Sequence, residues 1–150
     1  MYIFTISNNK KFMNQLLKND LFDSFLVREV ILYTNIKYII DGTLNKEFYV
    51  SENLPAAPYM SWGFLRPKIH FLLANNDVPS YFKIIFSTTK EKTEQISDQA
   101  QTFFLNIIYK DNITTITTSW TPKTFTLDKT PEQEWDKKIE KFLCQWNFID

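Results

Sequence analysis

Trp62, Arg66 and His70 stand four residues apart, so a helix running through them would show all three on one face. A flat ring, a guanidinium and an imidazole in a row suit gripping an anion or stacking on a base. With lysines such as Lys68 and Lys123 they would line a groove for single-stranded nucleic acid. Trp62, Arg66, His70 and Lys123 are therefore the candidate binding residues. The plainer account puts Trp62 in the core, pairs Arg66 with a carboxylate and leaves His70 half-exposed. His70 is the only histidine, which removes any site that needs two imidazoles.

Other reactive side chains are scattered. Asp23, Glu29, Asp41 and Asp128 fall near expected strand ends, where two of them could hold a divalent cation or act as acid and base. Their spacing fits no metal or catalytic motif, and acids at strand ends commonly serve turns. Ser24, Ser61 and Ser119 lack the strand–turn–helix context of a nucleophile elbow, and only His70 could act as their base. Cys144 falls within an apolar terminal helix, where a buried, inert thiol is expected. The row Thr114–Thr118 could offer hydrogen bonds to a partner strand, though a solvated strand surface explains it as well. No catalytic residue, metal ligand or cofactor is assigned, and an enzyme is not expected.

Composition narrows the classes further. The 150 residues carry 17 basic and 17 acidic side chains, so the basic excess of a dedicated duplex-DNA binder is missing. Only Arg28 and Arg66 are arginines, and lysines are poorer at bidentate readout. With two glycines, Gly42 and Gly63, the chain has no phosphate-cradling loop. A single cysteine suits a reducing compartment. There is no signal-like opening and no run of ~18 apolar residues, so a soluble cytoplasmic protein without membrane contact is expected. Aromatic residues reach 17%, from an AT-rich genome or an aromatic binding surface.

The elements that must position these residues begin with a central hairpin. Phe103–Lys110 and Ile113–Trp120 are β-prone runs around Asp111-Asn112, a turn pair that accepts positive φ. An even loop places Phe103, Leu105, Ile107 and Tyr109 opposite Trp120, Thr118, Ile116 and Thr114, which makes that face the core face. Earlier come a strand at Tyr2–Ile6, a helix capped by Ser7 or Asn8, and strands at Leu26–Thr34 and Ile36–Ile40. Asn45–Pro58 reads as a loop with a short helical turn. Ser61 can cap a helix to Leu73, in which Pro67 predicts a kink or a late start. A turn at Asn75–Pro79, a strand at Tyr81–Ser87 and a helix or loop over Thr88–Gln101 follow. Thr124–Leu127 reads as a last short strand. Thr130-Pro-Glu-Gln133 has the form of a capping box with proline at N1, opening a helix whose stripe is Trp135, Ile139, Phe142, Leu143 and Trp146. One α+β domain over 1–150 is expected, a mainly antiparallel sheet around the hairpin with about three helices packed on it.

Several stretches resemble an uncharacterised family of clostridia and related Gram-positive bacteria. They are Phe22-Asp-Ser-Phe25, Ile40-Asp-Gly42, Asn45-Lys46 with Phe48-Tyr49, and Ser61-Trp62 with Leu65-Arg-Pro67. Phe82-Lys-Ile84, Phe104-Leu-Asn-Ile107, Lys123-Thr-Phe-Thr-Leu-Asp-Lys129, Trp135-Asp136 and Phe142-Leu143 continue the likeness in order. The resemblance implies a bacterial, cytoplasmic protein and no particular activity. The opening strand–helix–strand–strand order is also similar to a subdomain of DNA sliding clamps, from which the neutral charge and short length depart. The expectation is a non-catalytic binding or accessory protein acting through another protein. The alternatives are a single-strand nucleic-acid binder or clamp-like protein, and a carboxylate metal-dependent enzyme built on two of Glu29, Asp41 and Asp128.

Overall fold

The computed structural model describes residues 1–74 and 78–150. The hairpin forms as its turn chemistry dictates. Strands β5 (Ala100–Lys110) and β6 (Ile113–Pro122) meet at Asp111 and Asn112, whose φ values of 53° and 64° make the paired left-handed turn that fits strand twist. Phe103, Leu105, Ile107 and Tyr109 lie opposite Trp120, Thr118, Ile116 and Thr114, as an even loop requires. On the other flank of β5, β4 (Tyr81–Ser87), β2 (Leu26–Tyr33) and β3 (Lys37–Asp41) add in turn, and β1 (Ile3–Thr5) closes the far edge beside β6. The result is a six-stranded sheet in the order β1-β6-β5-β4-β2-β3, antiparallel at every step.

One face of the sheet is closed by three helices. Asn8 caps α1 (Asn9–Leu17) by accepting from the Lys11 N–H, and α1 turns Phe12 and Leu16 into the core. Helix α2 (Trp62–Ala74) contributes Trp62 and Ile69, and α4 (Thr130–Gln145) contributes Trp135, Ile139 and Leu143. These meet Phe82, Ile84, Phe86, Phe103, Leu105, Ile107 and Ile116 in one apolar cluster, which Phe142 and Trp146 border. Burying such side chains contributes about 1.5–3 kcal/mol each, so this contact dominates the core. Seven of the fourteen phenylalanines are buried, so much of the aromatic content serves packing. The fourth helix, α3 (Lys90–Ile96), sits beside the start of β5 and touches α4.

Several expectations are corrected. Thr124–Leu127 forms no strand: it is an irregular stretch with Phe125 and Leu127 more than four-fifths exposed. The capping box does not form either. Thr130 is already helical, α4 has no side-chain cap, and Asp128 instead accepts from the Thr130 N–H at 2.9 Å. Helix α2 starts at Trp62 without delay and carries Pro67 inside it, while the Ser61 hydroxyl accepts from the Phe64 N–H. Cys144 is exposed, on the side of α4 away from its apolar stripe. Thr88–Gln101 holds α3 and the first strand residues of β5. The turn expected at Asn75–Pro79 lies partly outside the described residues.

Candidate functional site

The row on α2 splits on folding. Trp62 is fully buried, its indole N–H donating to the Leu16 carbonyl at 2.9 Å and its ring edge-on to Phe86. It offers no face to a base. Arg66 holds both oxygens of Asp23, at 2.8 and 3.0 Å. That hydrogen-bonded pairing raises the guanidinium pKa above its ordinary value. His70 is half-exposed. Lys123 lies elsewhere, in the wall of a cleft to which α2 contributes nothing.

The acidic residues have local partners. Asp23 belongs to Arg66. Glu29 and Asp41 face each other across β2 and β3, but Glu29 leans toward Lys83 at 4.0 Å and Asp41 accepts from the Thr43 N–H at 2.8 Å. Hydrogen bonds from the Thr43 hydroxyl and N–H hold the Asp41 carboxyl below the ordinary carboxylate value, and Thr130 does the same for Asp128. Among the described residues no three His, Cys, Asp or Glu side chains gather as a metal would require.

Two features stand out from the rest. The first is the sheet's second face, on which α1, α2 and α4 do not lie. One row across it runs Ile39, Ile31, Lys83, Ile108, Thr115, Thr5 by the strand register. Ile39 is 73% exposed and Ile3, at the far edge, 60%. Away from Arg28 at one end, the charged residues on the strands of this face are Glu29, Asp41, Lys37, Lys83 and Lys110, nearly balanced in sign.

The second feature is a cleft of about 670 Å³ at one end of that face, built around Arg28. The pairing of β2 with β4 slips between Val27 and Glu29, so Arg28 is the extra residue of a β-bulge. Bulges re-aim side chains, and this one turns Arg28 out of the core. A strap formed by residues 58–61 lies across the start of β2. Its Met60 N–H reaches the Gly42 carbonyl and its Met60 carbonyl accepts from Val27. A Cβ on Gly42 would come within 1.8 Å of the Val27 oxygen, so no side chain fits there. The strap delivers Tyr59, whose hydroxyl accepts from Arg28 Nη1 at 2.8 Å and whose ring lies 3.8 Å from the guanidinium carbon. Arg28 Nε donates to the buried Ser87 hydroxyl at 3.1 Å, and the Phe104 ring centroid lies 5.2 Å from the guanidinium carbon. Among the described residues no carboxylate pairs with Arg28.

Helix α3 forms the facing wall. The Thr93 hydroxyl donates to the Thr89 carbonyl, so its 2.6 Å contact with Thr88 must be a bond that Thr88 donates. Phe103 N–H in turn donates to Thr88, which ties α3 to β5. The sequence reading missed Arg28 as a site residue. Its signal was present: strict alternation from Val30 and Leu32 would place Arg28 in the core, which only a bulge could avoid.

A family model matches residues 15–149. The chain belongs to DUF5721, a family of unknown function. That membership agrees with the resemblance to a family without an assigned activity. The DUF5721 match takes in the last residues of α1 and everything from β2 to α4, so the Arg28 cleft lies within it. No curated protein and no solved structure matches this chain. No helix among the described residues is long and apolar enough to cross a membrane.

Proposed function

We propose that this DUF5721 protein is a non-catalytic binding or accessory module that docks another protein on the helix-free face of its sheet. The supporting observation is that Ile39 and Ile3 stand exposed on this face, with Ile31 and Ile108 only partly covered, although the opposite face of the same strands is closed. Exposed apolar patches on a folded domain commonly mark contact surfaces. With two carboxylates set against three lysines, the face has little to hold a phosphate backbone, which favours protein over nucleic acid as the partner. The quoted family likeness and the lone cysteine suit a cytoplasmic protein of Gram-positive bacteria.

The test uses two purified forms, wild type and the Ile39→Lys/Ile108→Lys double variant. Both should melt alike, since neither side chain belongs to the core. Affinity capture from the host should retrieve a partner with wild type and lose it with the variant. Light scattering shows whether that partner is a second copy. A strictly monomeric protein that captures nothing, or a variant that captures as well as wild type, counts against the proposal. Anisotropy titration with single-stranded oligonucleotides at low and high salt checks the nucleic-acid alternative, which predicts tight, salt-sensitive binding.

A further inference from the structure

The Arg28 guanidinium is half-buried, yet among the described residues no carboxylate pairs with it. We propose that the cleft around it binds a small organic oxyanion, a carboxylate or a phosphate ester, with the anionic group on Arg28 and an apolar body against Pro58, Ala57 and Leu26. The cleft lies at one end of the docking face, and the inference stands without that docking reading.

Burying part of a guanidinium without a counter-charge costs stability, and a chain selected for folding alone has an easy remedy: a carboxylate nearby, as Asp23 serves Arg66. Around Arg28 the partners are neutral instead. The Ser87 and Tyr59 hydroxyls take two of its five N–H groups, and the Tyr59 and Phe104 rings lie close to it. These contacts fix the fork without neutralising it. No described residue accepts from Nη2, so its N–H groups are left to donate to an oxyanion.

The setting is rigid before any ligand arrives. A bulge, a glycine that admits no side chain and a hydrogen-bonded strap hold Arg28 and Tyr59, so little ordering cost remains for binding. About 670 Å³ falls within the range of small-molecule sites. Thr89, Thr102 and Lys123 add polar contacts around the rim. Lys90 lines the cleft too, as do the carboxylates Glu91 and Glu94 of α3. Three cations against two carboxylates leave one net positive charge, which suits a small anion of low charge and not a polyphosphate.

The experiment is an amide NMR titration of the full wild-type chain with benzoate, with phenyl phosphate, and with sodium chloride at matched ionic strength. Saturable shifts at Ala57, Tyr59, Thr89 and Thr102 with either organic anion are expected, and none with chloride. Whichever organic probe saturates identifies carboxylate or phosphate as the recognised group. Arg28→Lys should weaken that binding about tenfold, since lysine cannot present the planar fork. Lys123→Ala should weaken it about twofold to threefold, as a rim charge does. Shifts that never saturate, that chloride reproduces, or that Arg28→Lys leaves at wild-type affinity overturn the proposal. If Arg28→Lys does not fold, the wild-type map decides: saturable shifts confined to the cleft support the site, and scattered or absent shifts reject it.

Discussion

Strand β5 presents Phe103, Leu105 and Ile107 to one side and Phe104, Asn106 and Ile108 to the other, and the two sides have opposite fates. The first three are essentially inaccessible within the apolar core, while the second three remain partly open. The two arginines repeat the contrast. Arg66, on the helix side, is neutralised by Asp23, whereas Arg28, on the open side, is gripped only by hydroxyls and rings. The closed side is resolved within the chain, both in apolar area and in charge. The open side leaves Ile39 exposed and Arg28 without a carboxylate, which is what a surface kept for a partner or ligand would show.

The largest test of that contrast lies in the apolar residues. Leu105→Ala should cost about 2–5 kcal/mol in urea melts, while Ile108→Ala, three residues away on the same strand, should stay within about 1 kcal/mol. Equal losses would mean the open face is as much a part of the core as the closed one. Next is Trp62→Phe, which keeps a ring but removes the N–H held by the Leu16 carbonyl; a loss of about 1–3 kcal/mol is expected. The arginines give a smaller, signed contrast. Arg66→Met strands the Asp23 carboxylate and should cost about 1–2 kcal/mol, mostly recovered when Asp23→Asn is added. Arg28→Met strands no charge and should fall within about 1 kcal/mol of wild type.

Smallest is the acid response. Asp41 and Asp128 hold their protons less tightly folded than unfolded. Their stabilising effect is therefore complete above the ordinary value of 3.8 and disappears as pH falls through their lower folded values. Melting points should be level from neutral pH to about 5 and decline below about 4. Asp41→Asn and Asp128→Asn should each remove part of that decline. A decline unchanged in both variants would place the acid-sensitive groups elsewhere.

What could be read from residue order was mostly local. The Asp111-Asn112 turn fixed the hairpin register, and the Trp135-to-Trp146 stripe fixed which side of α4 meets the sheet. Pattern failed where a long-range partner decides. Phe125 and Leu127 look strand-like, but both stand exposed in an irregular stretch. Trp62, Arg66 and His70 share a helical spacing, yet burial of the first and Asp23 at the second depend on α1 and on residues 20–25, which spacing cannot show. The Arg28 cleft depends on a bulge and a strap that pairs residues more than thirty positions apart. Only the break in alternation at Arg28 hinted at it.

The pairing of β1 with β6 sets the timetable of synthesis. Ile3, Phe4 and Thr5 leave the ribosome long before their partners Thr117, Ile116 and Thr115, and Ser7 waits for the Phe148 carbonyl. A nascent chain can assemble β2, β3, β4 and β5 while its opening strand still has nothing to pair with. During that interval the bare side of β5 is an exposed edge, the kind of edge on which chains join to one another. Translation slowed between β5 and β6 should therefore increase aggregation more than the same delay placed after α4.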